Sequence, residues 1–149
     1  MALLRGVRDS HRGLIVLVAL AILGGCLRDP PPPTDPELAA ELGLPERTPI
    51  HRVHLGGDRI LPSRVEVDPG ARVHFVVEDH RVYALRFLLE EMESEAAAFL
   101  RESEQTGSPP LARQGAWHLV AFDDAPAGLY PFLLEGYGEP ARGQIRVRE

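Results

Sequence analysis

Along residues 50–149, apolar and polar positions alternate in short runs that stop at Pro and Gly. In "RVEVDPGARVHFVVED", Val65 and Val67 alternate with charged neighbours, Asp68-Pro69-Gly70 supplies a turn, and Val73, Phe75 and Val77 alternate again. Alternation with a period of two puts one set of side chains on a buried face and the other in solvent, so each run predicts a half-buried strand. "IHRVHL" (50–55), "YALRFLL" (83–89), "WHLVAF" (117–122), the run after the Pro126-Ala127-Gly128 turn and the closing "RGQIRVRE" read the same way. Short strands divided by Pro/Gly turns predict an all-β sandwich.

One stretch has a different period. In residues 88–104, Leu88, Met92, Phe99 and Leu100 fall at helical spacing, while Glu90, Glu91, Glu93, Glu95, Glu102 and Glu104 occupy the other side. This predicts one inserted amphipathic helix with a solvated acidic face.

The first half-hundred residues do not belong to this pattern. Arg5, Arg8 and Arg12 precede the apolar run "LIVLVALAIL" (14–23), which has half of the ~20 residues a membrane span needs. It ends in "LGGC", which closely resembles the lipobox of bacterial lipoproteins. The resemblance implies a signal peptide over residues 1–25 and lipidation of Cys26. With Leu27 rather than Asp after the Cys, it also implies the periplasmic face of the outer membrane in a Gram-negative cell. Two or more acyl chains anchor stably where one is marginal. Residues 26–49 carry the lipidated Cys and a Pro-rich linker, "LRDPPPPTDPELAAELGLPERTP", expected to be a stiff solvated tether. Within it "PELAAELGL" has room for one or two helical turns.

Charge and cysteine content narrow the function. The chain of 149 residues has a formal net charge of −6, and all its basic side chains are Arg. Phosphate backbones need a basic surface, so nucleic acid is not an expected partner. The single Cys excludes an internal disulfide and any multi-thiolate metal site. There is no glycine-rich phosphate loop and no nucleophile in a recognisable setting. The adjacent carboxylates Asp123 and Asp124 precede a turn, where Asp is a common residue. The chain is expected to be non-enzymatic, with no cofactor.

Three stretches together resemble the cupredoxin family, the blue-copper proteins of plastocyanin and azurin type. "VEVDPGARVHFVVED" resembles the strand-turn-strand before the first copper His. "SPPLARQGAWHLVAFDDAPAGLYPF" resembles the later half of bacterial plastocyanin-like domains, and "ARGQIRV" their closing Met-x-Gly-x-Ile-x-Val. The resemblance covers residues 50–149 and implies a cupredoxin-like Greek-key β-sandwich. It maps the family's ligand positions onto Tyr83, Leu134, Tyr137 and Ala141, so that all four ligands are replaced. Leu134 would supply apolar volume, and the rings of Tyr83 and Tyr137 would fill the metal gap.

A second argument does not depend on that alignment. A type 1 copper site needs a thiolate and two imidazoles. The one sulfur nucleophile, Cys26, lies in the lipobox, and residues 119–149 contain no His. The resulting expectation is a membrane-anchored lipoprotein whose cupredoxin-like domain has lost its copper. It would serve as a binding or accessory module in the cell envelope, with an envelope protein as partner. The alternative is a metal-binding or electron-transfer protein using a non-thiolate site near His80, Tyr83 and Tyr137. His51 and His54, three apart, form a chelate only on a helix; on a strand they face opposite ways.

Overall fold

In a computed structural model of the chain, residues 34–149 are described. The order is α1 (Pro36–Glu41), β1 (Ile50–Gly56), β2 (Arg59–Leu61), β3 (Arg64–Val67), β4 (Arg72–Val77) and β5 (Ala84–Phe87). It continues through a 3₁₀ turn (Leu89–Glu91), α2 (Ser94–Glu102), β6 (Trp117–Ala121), β7 (Gly128–Glu135) and β8 (Ala141–Val147). The strands form two four-stranded sheets, β2-β1-β4-β6 and β3-β8-β7-β5. β1 runs parallel to β4 and β3 parallel to β8; the remaining pairs are antiparallel. This is the cupredoxin-like β-sandwich expected of residues 50–149.

The alternation of the sequence becomes the core. Val53 and Leu55 of β1, Val73, Phe75 and Val77 of β4, Tyr130, Phe132 and Leu134 of β7, and Ile145 and Val147 of β8 are all buried. They join one cluster between the sheets. The Phe132 ring meets Phe75 edge-on at 5.3 Å, and Phe122 meets Tyr130 at 5.3 Å, nearly at right angles.

Three features depart from expectation. First, β2 is a strand the alternation does not predict. Gly57 and Asp58 both have positive φ (59° and 57°), the two-residue turn that joins tight hairpins. It sets Gly56 opposite Arg59.

Second, the inserted helix is shorter than 88–104. Leu88 is buried as an extension of β5, its N–H donating to Pro131 O. Met92 and Glu93 are extended, so the acidic run divides into a 3₁₀ turn and α2. α2 packs through Ala96, Ala97 and Leu100, with Phe99 partly buried beside them.

Third, residues 34–49 are not a solvated tether. Asp35 accepts from Leu38 N–H at 3.0 Å as an N-cap and Pro36 takes the first turn, the sequence signals of a helix start. The other Asp35 oxygen pairs with Arg52 at 2.7 Å. Leu38 and Ala39 pack on Ile50, with Leu42 and Leu44 beside them. Thr34 bridges to Pro49 beside the start of β1.

At the free edge of β6, one side chain pairs the last peptide of the strand. Gln105 donates to Ala121 O at 3.0 Å and accepts from Ala121 N–H at 2.6 Å, as a neighbouring strand would. Gln105→Ala leaves a part-buried peptide group unpaired. It is expected to lower stability by about 2 kcal/mol, read as a fall in the urea midpoint at unchanged slope.

Candidate functional site

The end of the sandwich that gathers the predicted site positions is organised by Asp79, just past β4. One Asp79 oxygen accepts from Arg81 N–H at 2.9 Å. The other accepts from Gly57 N–H and from the Tyr83 hydroxyl, both at 2.9 Å. The backbone N–H groups of Gly57 and Arg81, with the Tyr83 hydroxyl, stabilise the ionised carboxylate against its desolvation and hold its pKa below the usual range. Asp58, delivered by the β1–β2 turn, binds the Arg81 guanidinium at 2.6 Å, and its N–H lies 3.4 Å from the Tyr83 hydroxyl. Burial is the main cause that raises the Tyr83 pKa.

The β7–β8 loop closes over this network. A Cβ on Gly136 would stand 3.1 Å from the Tyr83 ring, and one on Gly138 would stand 3.0 Å from an Asp58 oxygen. Both glycines therefore allow a backbone approach that a side chain would obstruct.

The four positions mapped from the family have different surroundings. Tyr83 and Leu134 are buried in the core, and Leu134 sits in register between Leu85 and Ala141. Ala141 is half-buried against the same cluster. Tyr137, expected to fill the gap with its ring, is 85% exposed. The reason is local: Gly136, not Tyr137, is the residue that meets the Tyr83 ring.

Leu134 and Ala141 carry no donor atom, and the Tyr83 hydroxyl is engaged by Asp79. This set does not fit a type 1 copper. Among the described residues, no group of three or more His, Cys, Asp or Glu is arranged to hold a metal ion. Cys26 and the expected signal peptide over residues 1–25 lie outside the described residues.

The histidines are dispersed. His51 and His54 lie on β1, where residues three apart point to opposite faces; His54 contacts Glu78. Burial lowers the pKa of His51, His74 and His118. His80 is exposed. It does not line the groove of about 340 Å³ that Tyr83 and Tyr137 form with Val82, Ala84, Pro110 and Glu135. Asp123 pairs with Arg72, and Asp124 takes a positive φ of 54°, a turn role for both.

A larger cleft of about 720 Å³ lies at the far end, by Gly128, Leu129 and Arg146, and contains none of the predicted positions.

Sequence reasoning missed Asp58 and Arg81. The Gly57-Asp58 pair between β-rich runs was the available signal for Asp58, because that dipeptide at φ > 0 makes the hairpin that delivers it. No comparable signal marked Arg81.

Comparison with solved structures returns cupredoxins. They include the purple cupredoxin from Nitrosopumilus maritimus (14% identity, 66% of this chain and 99% of that one, TM-score 0.47). A reduced-state amicyanin mutant matches at 16% identity, over 80% and 97% of the chains, with TM-score 0.49. A mutant plastocyanin of fern matches at 15%, over 65% and 99%, with TM-score 0.48. No family model matches the chain, and no curated protein matches it. The cupredoxin-like assignment of the fold accordingly rests on the strand order and pairing given above.

Proposed function

We propose that this chain is a lipid-anchored, non-catalytic binding or accessory module of the bacterial cell envelope. Its cupredoxin-like domain works without type 1 copper and docks an envelope protein through the end that carries Tyr137. The observation that carries this reading is the contrast at that end. The donor positions are filled by Leu134, Ala141 and a hydrogen-bonded Tyr83, while the Tyr137 ring stands 85% exposed beside Val82 and Pro110. An exposed aromatic over an apolar groove is what a docking partner can bury. The anchor at Cys26 is supported by the lipobox resemblance.

The test is to load the full chain in detergent with copper(II), and separately iron(III), then desalt, assay bound metal and record the visible spectrum. The expected result is no stoichiometric metal and no visible band. About one metal per chain, lost on His80→Ala or Tyr137→Phe, would replace this reading with a metal carrier.

A further inference from the structure

Among the described residues, His74 is the one buried polar side chain left without a hydrogen bond; the hydroxyls of the deeper Tyr83 and Tyr130 are both bonded. His74 is 6% exposed, and neither ring nitrogen has a hydrogen-bond partner. His74 belongs to β4, but its neighbours Val73 and Phe75 point into the core, so His74 faces the other side of the sheet. What covers it there is α1. Leu38 of that helix and Leu42, its C-cap, line a cleft of about 230 Å³ together with His74, Val76 and Trp117. The Trp117 ring lies 5.7 Å from the imidazole.

The cover is thin. α1 spans only Pro36–Glu41, and its cluster of Leu38, Ala39 and Ile50 is separate from the main core. A two-turn helix has little stability of its own and holds only through such contacts.

We infer that residues 34–49 form a strap that seals the outer face of this sheet while His74 is neutral and lifts away when His74 takes up a proton.

The groups facing the imidazole favour release. From β1 come Arg52, already paired with Asp35, and His54, which contacts Glu78. The Glu78 carboxylate, just past β4, is thus engaged. β6 contributes Trp117, which does not titrate. From α1 comes Glu41, whose charge pulls toward protonation. Burial, seconded by Arg52, outweighs Glu41 and keeps the imidazole pKa below the ordinary His value.

The sign follows. A free imidazole titrates near ~6.5, so the sealed state keeps its full advantage above that pH. It loses that advantage as pH falls below it toward the depressed value. An imidazolium under α1 would bury two N–H donors and a charge without acceptors.

The test is hydrogen exchange on the full chain in detergent, at about pH 7.5 and about pH 5. The reporters are the amides of Leu42 and Leu44, which donate to Leu38 O and Ala39 O. Their protection factors, corrected for intrinsic rates, are expected to fall about tenfold at the lower pH while those of β4 and β7 hold. Emission of Trp117, the chain's single Trp, should shift with the same midpoint.

His74→Phe, which fills the space and cannot titrate, is expected to keep protection at both pH values. Should that variant fail to fold, Glu41→Gln serves, and it should deepen the loss at low pH. Equal protection at both pH values would overturn the inference. So would the same loss in His74→Phe, an unchanged loss in Glu41→Gln, or tighter protection at low pH from a new His74–Glu41 pair.

Discussion

Phe132→Ala is expected to cost this domain about 4 kcal/mol. Phe132 projects from the middle of β7, and its ring is 1% exposed. It takes Phe75 edge-on at 5.3 Å and Phe87 at 5.8 Å, so it ties β4 of one sheet to β5 of the other. Across from it on β8 stands Gly143, in register. A Cβ at Gly143 would fall 2.3 Å from the Phe132 ring. The ring therefore lies where a side chain at 143 would go, and Gly143→Ala is an overpacking change expected to cost about 3 kcal/mol. The two effects share one volume, so they should not add. Phe132→Leu is expected to recover part of the Gly143→Ala loss. Urea unfolding of the single and double variants measures this, and a Gly143→Ala cost below about 0.5 kcal/mol would show that β8 can move away from the ring.

The second large effect is at high pH. Tyr130 is fully buried, and its hydroxyl donates to Pro126 O at 2.7 Å, four residues back. This is the corner bond that holds a turn against the strand after it. Burial pushes its pKa up to about 12. In the unfolded chain the phenol ionises near ~10, so the folded state keeps its full stability below that pH. It loses stability as pH rises from there through the folded value, by on the order of 2 kcal/mol. Tyr130→Phe should cost about 1 kcal/mol at neutral pH and flatten the alkaline decline. An unfolding series from neutral to strongly alkaline pH on both proteins checks this, and parallel declines would assign the loss to other groups.

How much of this could be read beforehand differs by element. β3 and β8 were legible because each buries one face, which makes the alternation strict; β4 and β7 bury residues on both faces and were legible from their apolar runs after the Pro/Gly turns. β2 was not, because Arg59–Leu61 is too short to show a period, although the turn before it was written in Gly57-Asp58. The helix boundary was misplaced at Leu88 because apolar spacing cannot distinguish a buried strand end from a helix face. The turns of α1 were allowed for in "PELAAELGL", but Pro-rich composition gave no sign that Leu38 and Ala39 would dock on Ile50.

At the site, counting from Asp79 reached Tyr83, and the two side chains do bond. Asp58 comes to them from another hairpin, a meeting that no local pattern encodes. Tyr137 was expected inward. Its exposure goes with the path of the loop, which brings Gly136 against the Tyr83 ring and leaves the Tyr137 ring at the groove beside Val82 and Pro110.

The attachment of the chain to the sandwich has a consequence for orientation. Thr34 enters beside Pro49 and the start of β1, whereas Tyr137 follows the end of β7 at the opposite pole, beyond Asp79. The length of a strand such as β4, about 20 Å, separates the two. Under the proposed anchor at Cys26, the stretch to Thr34 spans at most about 28 Å. Payout of residues 34–49 would lengthen that attachment by on the order of 50 Å while the Asp79 end stays folded, so under the proposed anchor reach and contact would be set by separate parts of the chain.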